Sequence, residues 1–174
     1  DDFVPKVIDE RSRMITPRDL AGAFARNLDV AKAQTKGLTH ADSVLQPPFR
    51  GNCLNWVLGH MAGNRNLVLQ QLGQPPILTE AQGKRYGYGS EPVCADGPDI
   101  LKLETLMALL EQSQKAIDAA LGRITAEELA KEVECFLGKV TLGYFLFFLY
   151  WHESYHVGQT ELLRQLAGTN DKVI

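Results

Sequence analysis

Cysteine is scarce in this sequence and is not arranged to crosslink the chain or to bind a metal. The three cysteines, Cys53, Cys94 and Cys135, are widely spaced and odd in number, and no two of them form a C-x-x-C pair. This pattern argues against a disulfide framework and a thiolate zinc site, and it favours a reducing, cytoplasmic location. Because the chain starts at Asp1 rather than at Met, removal of an N-terminal segment such as a signal peptide stays open.

Blocks of like charge and long apolar runs are absent as well. The net charge is −3 over 174 residues, and acidic and basic residues are interleaved, so neither a nucleic-acid-binding surface nor a polybasic membrane anchor is expected. The longest apolar run, from Leu142 to Trp151, is far shorter than the roughly 20 residues that a membrane span needs. The run continues directly into His152 and Glu153, and we interpret it as a buried helix.

Apolar residues at helical spacing dominate the rest of the chain. They predict four long helices, over about residues 17–36, 53–72, 98–121 and 141–167. A short helix is predicted at the capping box Thr125-x-x-Glu128, and no convincing alternating strands or internal repeats are found. The expected fold is an all-α four-helix bundle in a single domain over residues 1–174, with residues 1–15 as an N-terminal arm.

The connection between the second and third helices is unusually long. It runs from Gly73 to Pro98 and is rich in proline and glycine. Connections of this length in a small domain typically cover a site or cross the bundle.

The last helix contains the main functional signal. His152 and His156 lie four residues apart on its predicted inward stripe, so they stack on one face and can bind one ion together. Burying imidazoles in a core costs stability unless a partner satisfies them, and a metal ion would do so. The alternative is a pair of hydrogen-bonded core histidines.

A third histidine, His60, lies among apolar residues in the middle of the second helix. By itself it is typical of a core residue, but a bundle can bring it face to face with the pair on the last helix. Three neutral imidazoles plus water form an open metal site of the catalytic kind, so we predict one divalent ion per chain. The donor set does not distinguish zinc, nickel, iron and copper. His40, in a polar loop, is expected at the surface.

These motifs, taken in order, resemble the DinB-like (damage-inducible) superfamily. The resemblance rests on the Pro47-Pro48 loop before Asn55-Trp56-x-Leu-x-His60, the Tyr- and Gly-containing connection, and the final His152-x-x-x-His156-x-Gly158-Gln159 helix that ends on Leu-Arg-x-Leu. It extends from about Pro17 to Gly168. It implies a four-helix bundle with a long crossover connection and a variant up-down topology, and a three-histidine metal site at His60, His152 and His156.

The resemblance also implies what such a protein does. Members are often homodimers, and several are transferases that use a low-molecular-weight thiol such as bacillithiol, mycothiol or glutathione. The leading hypothesis is a metal-dependent enzyme with a small-molecule substrate, either a thiol transferase or a hydrolase, in which the ion lowers the pKa of a bound water or thiol. The alternative is a non-catalytic, metal-containing module for binding or stress response.

The segment from His152 to His156 also matches H-E-x-x-H, the zinc metalloprotease signature, in which the glutamate is the general base. Only 18 residues follow His156, which is too few for the usual third ligand, and no upstream strand is evident to pair with a peptide. A protease is therefore the less favoured reading. Glu153 remains a catalytic candidate because a carboxylate beside His152 can reach a water on the metal. The alternative is a salt-bridged or solvent-facing glutamate.

Other polar side chains near the three histidines are candidates for supporting roles. Asn64 and Gln159 lie one turn from the predicted ligands and can hydrogen-bond an imidazole or a substrate. Side chains that can line the pocket are Tyr155, Tyr144, Arg50, Tyr86 and Tyr88. For each of these, packing or plain surface is the alternative.

Overall fold

Four long helices form the body of the protein, and short helices and a hairpin lie in their connections. The computed structural model describes residues 15–173, so the predicted N-terminal arm falls outside it apart from Ile15. The elements in chain order are α1 (Pro17–Thr35), α2 (His40–Ser43), α3 (Leu54–Gln71), α4 (Glu80–Arg85), α5 (Leu103–Leu121), α6 (Ala126–Leu129), β1 (Glu132–Cys135), β2 (Gly138–Thr141) and α7 (Leu142–Leu166).

The order of the long helices around the bundle differs from their order in the chain. Helix α1 packs against α5 and α7, and α3 packs against the same two helices, so α1 and α3 lie diagonally. Helices α3 and α5 run in the same direction, because Asn55 bonds to Leu101 at one end and Arg65 bonds to Ser113 further along. The chain between α3 and α5 must therefore return along the bundle. The predicted long crossover and variant topology are confirmed.

The start of α5 is later than the sequence predicts. The proline at 98 suggests a helix start, but there the N–H of Ile100 donates to the carbonyl of Gly97 in a turn. The helix begins at Leu103, whose N–H donates to Nδ1 of His40 at 3.3 Å. His40 is thus not the surface residue that we predicted: its side chain is 16% exposed, and its Nε2 lies 3.0 Å from Asp96. A tertiary contact, and not the local sequence, sets the first residue of the helix.

The prediction that the chain has no strands is wrong in one place. Strands β1 and β2 form an antiparallel hairpin in which Val133 pairs with Val140. Gly138 allows the turn, because its backbone φ of +84° is one that residues other than glycine rarely adopt. Each strand has only four residues, too short an alternation to stand out in the sequence. Among the described helices, none combines the length and apolarity that crossing a membrane requires.

One charged pair lies fully buried between α3 and α7. The Nε and Nη2 atoms of Arg65 donate to the two carboxylate oxygens of Glu153 at 2.9 and 2.8 Å, and neither side chain is exposed. The guanidinium also donates to oxygens on α1 and α5: the carbonyls of Phe24 and Leu110, and the side chains of Ser113 and Gln114. All four long helices therefore meet at this one arginine.

We predict that Glu153→Gln destabilises the protein strongly while keeping the size of the side chain. The change leaves a buried guanidinium without its counter-charge, and breaking such a pair should lower the free energy of unfolding by about 3 kcal/mol. Urea denaturation measures this value. The matched control is Glu111→Gln, because Glu111 forms an exposed ion pair with Lys32 between α1 and α5 at 2.7 Å. Equal effects of the two substitutions would contradict the prediction.

Candidate metal centre

Three imidazoles meet where α3 faces α7. The ring nitrogens that His60, His152 and His156 can each offer to an ion lie within 4.8 Å of one another. The Nε2 atoms of His152 and His156 are 3.3 Å apart. Two ligands at about 2.0–2.1 Å from one tetrahedral zinc ion would lie about 3.3 Å from each other. The spacing of this pair therefore fits a shared ion.

Each imidazole is oriented by an oxygen beyond its Nδ1. Nδ1 of His60 lies 2.8 Å from the carbonyl oxygen of Tyr86, and Nδ1 of His156 lies 2.8 Å from Oε1 of Gln159. Nδ1 of His152 lies 3.2 Å from Oδ1 of Asn64, whose Nδ2 donates to the Leu149 carbonyl and so fixes the amide. An oxygen that only accepts requires N–H at Nδ1, which leaves Nε2 of a neutral ring with a lone pair.

The arrangement of these lone pairs is itself informative. When both Nδ1 atoms donate to these oxygens, the Nε2 atoms of His152 and His156 are both acceptors and face each other across 3.3 Å. Two acceptors at hydrogen-bond distance repel unless a proton or a cation lies between them. A metal ion removes this conflict and uses all three rings in the tautomer that their oxygen partners impose. The donor set thus fits a divalent ion.

The ring of His60 is held on two sides. Its face stacks on Trp56, with ring centroids 4.7 Å apart and an interplanar angle of 11°. Its Nδ1 partner belongs to Tyr86, whose ring presses on the backbone of α3 at Gly59. A Cβ at Gly59 would lie 2.2 Å from that ring, so only glycine permits the approach. The hydroxyl of Tyr86 donates to Asn55, which ties the long connection to the same helix.

The structure places Glu153 away from the three rings. Its carboxylate is 0% exposed and is bonded through both oxygens to Arg65. It is not among the residues that line the cavity beside the histidines. In this position the carboxylate stabilises the bundle, and the H-E-x-x-H arrangement lacks the metal-facing base that a zinc protease requires.

The histidines line a cavity of about 700 Å³. Of the side chains proposed for the pocket, Tyr155, Gln159, Arg50 and Tyr88 do line it. Tyr86 instead lies buried against α3, and Tyr144 is outside the lining. Lining residues that we did not predict are Asn52, Trp56, Gly89, Ser90 and Trp151.

Tyr86 has a larger role at this site than the sequence indicates, and Arg65 was not singled out at all. Tyr86 supplies the oxygen that orients His60, and Arg65 binds the carboxylate of Glu153 in the core, outside the cavity lining. A signal for the first was present, because a glycine inside an apolar helix often marks a close approach of another segment, as at Gly59. No local signal identifies Arg65 as buried.

The comparisons with known proteins agree with this geometry. A family model described as the DinB superfamily matches residues 23–160, a span that includes all three histidines. The chain belongs to the DinB superfamily. The predicted family is therefore confirmed, and the match leaves the reaction open because the superfamily description states no activity.

The DinB fold is also seen in a solved structure. A crystal structure described as a conserved protein of locus from Enterococcus faecalis superimposes with a TM-score of 0.69 and 16% sequence identity. The alignment covers 90% of this chain and 99% of that chain. At this identity the likeness shows the fold alone. None of the curated proteins compared with the chain matches it in sequence.

The three histidines of this DinB chain should remain neutral, and so able to hold an ion, to lower pH than ordinary histidines. Burial lowers the pKa of His60 and His152 below 6.5, and it lowers the pKa of His156 to about 4. A lowered pKa favours the neutral ring, which is the form that ligates, so protons should compete with the ion only below 6.5. Zinc competition with a chelator between about pH 8 and pH 5 measures this. An affinity that already falls above pH 6.5 would contradict it.

Proposed function

We propose that this DinB protein binds one divalent metal ion through Nε2 of His60, His152 and His156 and is an enzyme that transfers a low-molecular-weight thiol to a small electrophile. The observation that carries the proposal is the convergence of three oriented imidazoles on a cavity of about 700 Å³. Three protein ligands leave a coordination position open, as in catalytic rather than structural sites. An ion held there would act as a Lewis acid and lower the pKa of a thiol or water bound to it.

The side chains around the ligands hold the site in one geometry. Asn64 and Gln159 each fix one imidazole of α7 through Nδ1, and Trp56 covers one face of His60. Such partners raise the basicity of a ligand and restrict its orientation. The Nε1 of Trp56 donates to Oγ of Ser90 at 2.9 Å, so the long connection closes this side of the cavity.

The composition of the lining favours thiol transfer over hydrolysis. Among the described residues, no aspartate or glutamate lines the cavity, and Glu153 is held by Arg65. A hydrolase commonly uses a carboxylate or a free histidine as its base. The leaving group of an ester or amide also has to be protonated, and the described lining holds no carboxylic acid to do so. A thiol bound to the ion would release its proton to solvent, and the resulting thiolate would displace a halide from a haloarene, a leaving group that needs no proton. Hydrolysis of a small ester or amide is the second candidate, and a non-catalytic metal-containing module for binding or stress response is the third.

The homodimer and the cytoplasmic location stay predictions. All three histidines of the metal site belong to one chain.

We predict that His60→Ala lowers zinc affinity by at least about 100-fold, which exceeds the usual effect of losing a hydrogen-bond partner of a ligand. Two imidazoles four residues apart on α7 would then be the only protein ligands. Competition titration with a chelator measures the affinity, and circular dichroism verifies the fold. The control is His40→Ala, which removes a histidine that bonds to Leu103 and Asp96 outside the cavity. Unchanged affinity in a folded His60→Ala protein would refute the three-histidine assignment and leave a site built on His152 and His156.

Catalysis is tested with the metal-loaded protein, a thiol such as glutathione or bacillithiol, and a haloarene or epoxide as electrophile. We predict product formation that stops when the ion is removed by chelation and returns when it is restored. A small ester, added without thiol, tests hydrolysis in the same samples. Equal rates for loaded and stripped protein across this panel would leave the non-catalytic module as the better account.

A further inference from the structure

The cavity beside the histidines has one cationic side chain in its wall. Arg50 lies in the loop before α3 and lines the cavity together with neutral residues and the three imidazoles. The lining includes no carboxylate to balance it, although the chain as a whole has a net charge of −3. The local charge is therefore opposite to the charge of the whole protein.

The guanidinium of Arg50 is also available for a ligand. The side chain is exposed, and among the residues that the structure describes none hydrogen-bonds or ion-pairs with it. Arg65, Arg85 and Arg164 each engage a carboxylate. Arg18, Arg26 and Arg123 are also without a side-chain partner among the described residues, and Arg50 differs from them because it lines the cavity. A planar guanidinium without a partner can bind a carboxylate or phosphate through two parallel N–H donors.

Large aromatic side chains surround the same opening. Tyr88 is 99% exposed, Tyr155 62% and Trp151 55%, and all three line the cavity. Single exposed aromatic residues are common on protein surfaces, but several that line one cavity are typical of a ligand-binding site. They offer flat apolar surfaces for packing a planar group.

We propose that the cavity takes a small molecule with two features, an anionic group bound by Arg50 and a flat apolar portion packed between Trp151, Tyr155 and Tyr88. The proposal rests on the proposed function, because it describes the substrate of the same site. Arg50 acts as the anchor that selects anions and aims the remainder of the molecule toward the histidines. The anion can belong to the thiol or to its electrophile, since both must occupy the cavity together.

The test uses the full chain loaded with one zinc ion and two probes of the same shape, 2-naphthoate and 2-naphthamide. Isothermal titration calorimetry gives a dissociation constant for each probe, and their ratio measures the preference for the anion. Arg50→Gln should reduce this ratio about fivefold at low ionic strength, and Arg50→Lys should reduce it less because the charge is kept. High salt should shrink the effect of Arg50→Gln.

Two controls separate the charge from the aromatic surface. Arg123→Gln removes the same charge from an exposed arginine just after α5 and outside the cavity lining, and it should leave the ratio unchanged. Trp151→Ala should weaken both probes equally, so the ratio should again stay the same. Equal ratios in the Arg50→Gln and Arg123→Gln proteins, or no binding of either probe to the wild type, would overturn the proposal.

Failure of the metal proposal gives a different result. Zinc content is measured in each sample before titration. If the chain takes up no zinc, the proposed metal-dependent function is refuted. The Arg50-dependent ratio is still measured in that sample, because a guanidinium attracts a carboxylate without any ion. In that sample no ion attracts the carboxylate, so the part of the preference that Arg50→Gln removes measures the contribution of Arg50.

Discussion

The bundle depends on one buried ion pair. Arg65 and Glu153 join α3 to α7 where no water reaches either side chain, and the guanidinium also binds oxygens on α1 and α5. Such a pair tolerates little change in geometry, because displacement leaves a buried charge uncompensated. The neighbouring positions on the same two helices are Asn64 and His152, which bond to each other. The ion pair therefore sets the register that brings His60 opposite the histidines of α7.

The alignment of α3 with α7 is not sufficient to build the three-histidine site, because the hydrogen-bond partner of Nδ1 of His60 does not lie on any of the long helices. The connection between α3 and α5 provides it. This segment must return along the bundle, since the two helices run in the same direction, and on the way it presses Tyr86 onto Gly59. The carbonyl oxygen of Tyr86 orients His60, and two residues that follow in the same connection, Tyr88 and Ser90, line the cavity. The connection that gives the bundle its unusual topology therefore also builds part of the metal site.

The sequence predicts those parts of the structure that depend on local spacing. The sequence predicts the four long helices, the position of His152 and His156 on one face of a helix, and the family. The fold and the family are confirmed. The role of Glu153 cannot be predicted from local spacing, because a side chain next to a metal ligand can face either the ion or a neighbouring helix. The answer depends on Arg65, a residue 88 positions away. The start of α5 escapes prediction for the same reason, since His40 caps it from another segment.

Three imidazoles, held by oxygens at Nδ1, are arranged to present Nε2 to one ion. Anomalous diffraction from crystals of the metal-loaded protein, recorded at the absorption edge of the metal, shows whether an ion occupies this position. We predict one peak per chain, about 2.0–2.1 Å from Nε2 of His60, His152 and His156 when the ion is zinc. Glu153 should remain on Arg65 in the same map. An ion bound through Nδ1, an ion coordinated by Glu153, or an ion out of bonding distance of His60 would refute the three-histidine site.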